Sequence, residues 1–136
     1  ATGQRELYPQ LFRTYTTQFN WAYRGGIVET PAIIQQGWAF TAYLLHLEGH
    51  QPQPVTFYVD AFRQAFPMVD MDLEEGPLLY RSLEDTWRRV YTLDCLEHFA
   101  AFTGIATVRK VDDDVMTPPQ ATSVQATPLL SRLIQF

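Results

Sequence analysis

The stretch from Thr30 to Gly49, TPAIIQQGWAFTAYLLHLEG, constrains this chain more than any other. Thr30 can cap a helix, because its hydroxyl accepts from an unpaired amide of the first turn. Pro31 suits the first helical position, where a missing N–H costs nothing. Gly49 suits the residue just past the end, where left-handed backbone is common. Between them Ile33, Ile34, Trp38, Phe40, Tyr43, Leu44, Leu45 and Leu47 leave hardly any polar face. A helix apolar nearly all round is a buried one. The pattern predicts one central helix with the rest of the chain wrapped about it.

The flanking segments read as its wrapping. Leu7, Leu11, Tyr15, Phe19 and Tyr23 recur every four residues, which predicts an amphipathic helix from about Glu6 to Tyr23, ended by Gly25-Gly26. After the break HQPQP, Thr56 opens a third helix with Phe57, Ala61, Phe62, Ala65 and Phe66 on one side. Pro67 stops it. Asp70, Asp72, Glu74 and Glu75 then read as an acidic loop. Ser82-Leu83-Glu84-Asp85 is close to a capping box and predicts a helix start. That helix either runs on through Phe102 or is renewed at Thr92. Ile105 to Val111 is rich in β-branched residues and reads as a strand. Asp112 to Thr127 reads as a long turn, and Pro128 to Phe136 as the returning strand, with its outer edge open.

The fold expected is therefore mainly α with a C-terminal two-stranded β-hairpin. It is one domain over residues 1–136: a helical body over about 5–80 and a winged-helix-like part over about 81–136. The core should hold Trp38, Phe40, Leu44 and Leu45 with Tyr15, Phe19, Phe62, Phe66, Trp87 and Phe99.

An apolar share of 46% with 18% charged residues describes a globular chain. A net charge of −5 disfavours nucleic acid and acidic membranes. One cysteine, Cys95, excludes an internal disulfide and fits the cytoplasm. Gln35, Gln36, His46 and Glu48 make the central helix too polar to span a bilayer.

Three sets of residues can carry function. The first is basic. In a winged helix the last helix enters the major groove and the hairpin lies beside the backbone, so Arg88, Arg89, Arg109, Lys110 and Arg132 are the candidate phosphate or partner contacts. Asp94, Glu97 and the run Asp112 to Asp114 oppose that use. The second set is aromatic. Trp21, Trp38 and Tyr43, beside His46, can line a pocket for an apolar ligand. The third is reactive. Cys95 and His98 stand three apart on an expected helix, where a nucleophile and a base can meet. His46 and His50 lack the glutamate placement and continuous helix of a zinc-protease motif. Helix-core periodicity accounts for the aromatic and cysteine positions as well, so no catalytic residue, metal site or cofactor is expected.

The phrases GWAFTAYLLHLEGHQPQPVTFYVDAFRQAFP, LDCLEHFAAFTGIATVRKV and TPLLSRLIQF resemble a set of bacterial proteins linked to mobile elements, including gene cassettes. Ala65-Phe66-Pro67, Phe102-Thr103-Gly104 and Thr127-Pro128-Leu129 are the shared landmarks. The resemblance implies a helical front and a winged-helix-like end, and it passes on no activity.

The function expected is that of a non-enzymatic protein-interaction module, with a second copy of the chain as one partner. A DNA-binding winged-helix regulator is the alternative. A small-molecule binder with the aromatic pocket is the third reading.

Overall fold

The computed structural model describes residues 2–19, 21, 30–75, 82–111 and 120–136. The chain is mainly helical with a small antiparallel sheet. In order it forms α1 (Thr2–Thr17), α2 (Thr30–Gln36), α3 (Trp38–Glu48), β1 (Gln53–Pro54), α4 (Val55–Ala65), α5 (Met68–Glu75) and α6 (Leu83–Tyr91). A π-helical segment (Thr92–Ala101), β2 (Ala106–Val111), β3 (Gln120–Ala126) and α7 (Pro128–Leu133) follow.

The expected central helix is two helices. Gly37 separates them, with φ −92° and ψ 15°, and another element approaches it closely. A Cβ on Gly37 would stand 2.8 Å from two ring carbons of Phe62 and 2.9 Å from one of Phe66. The buried face of α3 is narrower than its composition predicts: Thr41, Ala42 and Leu45 are buried, whereas Tyr43 and Leu47 are exposed. Gly49 ends α3 without left-handed backbone (φ −87°). Its carbonyl accepts from the Ala126 amide at 2.9 Å, which ties α3 to β3.

Around this pair the other helices sort by their apolar stripes. In α1 Phe12 and Thr16 face inward, although Pro9 interrupts the backbone ladder. The helix stops at Thr17, short of the expected end; Tyr23, Gly25 and Gly26 lie outside the described residues. In α4 the buried residues are Val55, Tyr58, Val59 and Phe62, spaced three and four apart, so Phe57 is turned outward against expectation. The acidic stretch after Pro67 is a helix, α5, and not a loop. Val69 is fully buried there, and Asp70, in the first turn, accepts two bonds from Arg63 at 2.8 and 3.2 Å. An acid at that end also suits the helix dipole.

The cap at Ser82 forms as expected: its Oγ accepts from the Asp85 amide at 3.1 Å. Helix α6 then passes into the π-helical segment with no turn between them, and at its end the Phe102 amide donates to the Glu97 carbonyl five residues back. Two separate helices, as a helix-turn-helix needs, are therefore not what this stretch forms.

The sheet has the order β1-β3-β2, all antiparallel. Ala106 pairs with Ala126 and Val111 with Gln120, with a register shift between Arg109 and Lys110. Gln53 and Pro54 add a third, two-residue strand against Val124 and Ser123. The expected two-stranded hairpin is thus corrected in two ways. The second strand lies at Gln120–Ala126, earlier than expected, and Pro128–Leu133 is a helix. Pro128 at a helix start explains the latter. The edge expected near Phe136 does not exist. β3 is the middle strand, and β1 and β2 are the edges.

One core cluster takes residues from Phe12 to Leu130, drawn from both halves of the chain. Its largest fully buried members are Trp87, Tyr58, Tyr91, Phe62 and Phe99. Of the expected core, Leu45, Phe62, Trp87 and Phe99 are fully buried; Trp38, Phe40, Leu44, Tyr15 and Phe66 pack on its rim. Phe19 is exposed.

Candidate functional site

The four residues of the expected aromatic pocket do not converge. Trp21 and Trp38 both pack on Phe99, with ring centroids 5.0 and 6.1 Å away. The Trp21 indole donates to the Tyr15 carbonyl at 2.8 Å, so its polar edge is used within the body of the protein. Tyr43 and His46 belong to another face, where His46 stacks on Phe136 at 4.1 Å. Five helical residues separate Trp38 from Tyr43, a rotation of about 140°. A concavity of about 470 Å³ does open elsewhere, between α4 and the start of α6. Its lining includes Asp60, Arg63, Glu84, Asp85 and Arg88, and its arginines are engaged by Asp70 and Asp85.

Of the reactive candidates, Cys95 is enclosed. Cys95 is fully buried and its thiol donates to the Thr41 hydroxyl at 3.3 Å. Thr41 and the Tyr91 hydroxyl lie 2.8 Å apart, with all three side chains closed to solvent. Burial pushes the Cys95 thiol up to about 12, with the Thr41 and Tyr91 hydrogen bonds pulling the other way. Burial also raises the Tyr91 phenol well above its ordinary range. A thiol that stays protonated is a poor nucleophile. Tyr58 is raised to about 12 by burial, with the Glu48 charge adding to it, and its hydroxyl is buried without a hydrogen-bond partner. The sequence pattern marked Cys95, and Tyr91 is its neighbour four residues back on the same continuous helix, but nothing in the pattern pointed to Thr41, which reaches it from α3. Among the described residues no three His, Cys, Asp or Glu side chains come together.

Three of the five candidate basic contacts are spoken for. Arg88 and Arg89 both hold Asp85, at 2.8 and 3.5 Å. Lys110 holds Glu97 at 2.5 Å. Three cations thus face two carboxylates, which offsets much of the charge that phosphate would need. Arg109, on β2, and Arg132, on α7, are exposed. Asp112, Asp113 and Asp114 lie outside the described residues. No helix among the described residues is long and apolar enough to cross a membrane.

The arrangement that none of these sets anticipated is an apolar ridge along α1. The residues expected to face the core, Leu7, Leu11, Tyr15 and Phe19, stand beside the buried stripe rather than on it. Leu7 is 51% exposed, Leu11 54% and Phe19 45%. Tyr15 stacks on Phe19 at 5.5 Å and meets Phe102 at 5.4 Å. Phe102, at the end of the π-helical segment, is 66% exposed.

Polar bonds hold this ridge rigidly to the body. The Tyr15 hydroxyl donates to the His98 carbonyl at 2.5 Å, and the Tyr8 hydroxyl donates to the Thr103 carbonyl. Beneath them Phe12 lies edge-on to Trp38 at 5.7 Å and beside Phe99 at 6.0 Å. The sequence carried a usable signal in the four-residue repeat of α1. A repeat of exactly one helical row is narrower than a core-facing stripe, which needs the adjacent row as well. Comparison with protein-family models, with curated proteins and with solved structures gives no match.

Proposed function

We propose that this chain is a non-enzymatic protein-interaction module whose docking face is the ridge of α1 with Phe102. The observation that carries the reading is the exposure of Leu7, Tyr8, Leu11 and Phe19 along α1, with Phe19 and Phe102 joined through Tyr15. Large apolar side chains scattered singly are ordinary, whereas a contiguous apolar patch marks a contact surface. The rigidity supplied by Tyr8 and Tyr15 adds to it, because a face fixed in advance loses little entropy when it is covered. The enclosed thiol of Cys95 and the ion-paired arginines of the α4–α6 concavity lend no comparable support to catalysis.

The test is binding of a fluorescent apolar dye to the folded chain at high dilution, with Leu11→Ser plus Phe102→Ser as the comparison. Most of the dye signal should disappear in the double variant while the circular dichroism spectrum is kept. Equal dye binding in both proteins would refute the ridge as a docking face.

A further inference from the structure

We infer that the occupant of the ridge is a second copy of this chain, in a two-fold dimer built on α1 crossing its counterpart near Leu11. The inference rests on the reading of the ridge as a docking face, and two observations carry it further: its area and its charge.

Side chains of this size carry about 150–250 Å² each, so five of them half exposed leave on the order of 500 Å² of apolar surface. A standard interface takes about 800 Å² from each partner, and about three-fifths of that is apolar. The ridge therefore matches one whole face of a stable dimer.

The chain carries 15 acidic residues, but none lies between Leu7 and Phe19, nor between Phe99 and Val111. Two copies with a net charge of −5 each repel least where neither presents an acid. A basic partner would find no carboxylate on these segments to pair with. The ridge side chains Leu7, Tyr8, Leu11, Tyr15, Phe19 and Phe102 are themselves uncharged, and the charged residues of these two segments are the bases Arg13, Arg109 and Lys110, so two copies meet there through apolar contact across a two-fold axis with no acid opposing another.

The geometry suits it too. Leu7, Leu11 and Tyr15 form one four-residue row of α1, a ridge inclined to the helix axis. Two such rows interdigitate when the helices cross at about −50°. Leu11 is the middle of the row, so it sits at the axis and meets its own counterpart. Phe19 and Phe102 lie at the end of the row and close over the partner's Leu7 region.

Sedimentation velocity across a wide concentration series, run together with the dye titration, tests this. The unchanged chain should show a monomer–dimer equilibrium, and Leu11→Glu should weaken it by about thirtyfold or more, the loss expected at a central interface position. Met71→Glu, on α5 and more exposed than Leu11, should leave it unchanged. A dimer that Leu11→Glu leaves intact would overturn the inference. A monomer at every concentration that still binds dye through Leu11 and Phe102 would overturn the dimer and leave the docking face standing. A monomer without ridge-dependent dye binding would overturn both.

Discussion

Replacing Gly37 by alanine separates two arguments that predict opposite signs. On local grounds the change stabilises. Gly37 has φ −92° and ψ 15°, a conformation alanine adopts, so the gain from a less flexible unfolded chain is about 0.4–1 kcal/mol. On tertiary grounds it destabilises. The new Cβ would meet two Phe62 ring carbons at 2.8 Å and one Phe66 carbon at 2.9 Å. Phe62 cannot swing away: it is fully buried, stacked on Phe66 at 4.4 Å and packed against Trp87 and Tyr91 at 5.6 and 5.1 Å. Overpacking of this kind costs about 1–3 kcal/mol. The net loss should be about 1–2 kcal/mol, or roughly 3–8 °C in Tm for a domain of this size. Urea unfolding followed by near- and far-ultraviolet circular dichroism measures it. Phe62→Leu in the same chain should recover part of the loss, so the double-mutant cycle should show coupling between the two sites. A Gly37→Ala protein more stable than its parent would refute the reasoning. It would mean that the Phe62 ring does not crowd Gly37.

The buried hydroxyls provide a second sign test. Tyr58→Phe removes a hydroxyl with no partner and should stabilise by about 1 kcal/mol, whereas Tyr91→Phe takes a partner from Thr41 and should destabilise by about as much; thermal denaturation of both variants checks it. Stability should fall as pH rises through the alkaline range. Cys95 and Tyr58 hold their protons up to about 12 in the folded chain, against ordinary values of 9.0 and 10.0, so the folded state binds more protons above pH 9 and is progressively weakened there. A urea midpoint unchanged between neutral pH and pH 11 would contradict the burial of these groups. At pH 8 a thiol reagent should label Cys95 only at the rate of unfolding, and immediate labelling would show the thiol to be open. Ser82→Ala should cost about 1 kcal/mol through the lost bond to the Asp85 amide, measurable by chemical denaturation.

Local chemistry decided what could be read from the sequence. The cap at Ser82, the stop at Pro67 and the strand Ala106–Val111 follow from the conformational limits of a few adjacent residues, and they stand where the pattern placed them. So does the burial of Cys95, Phe62 and Trp87. Helical periodicity and capping signals also sufficed for a mainly helical chain. Three features depended on contacts between distant residues. The close packing that leaves no room for a side chain at Gly37 comes from Phe62, twenty-five residues further on. The strand Gln53–Pro54 exists only because β3 passes beside it. The outward turn of Leu7 and Leu11 goes with the burial of the adjacent row, Phe12 and Thr16, of which Phe12 reaches Trp38 and Phe99. A helical repeat states which residues share a face. Which face is covered depends on what the rest of the chain has left to cover it, and that is settled only when the elements pack.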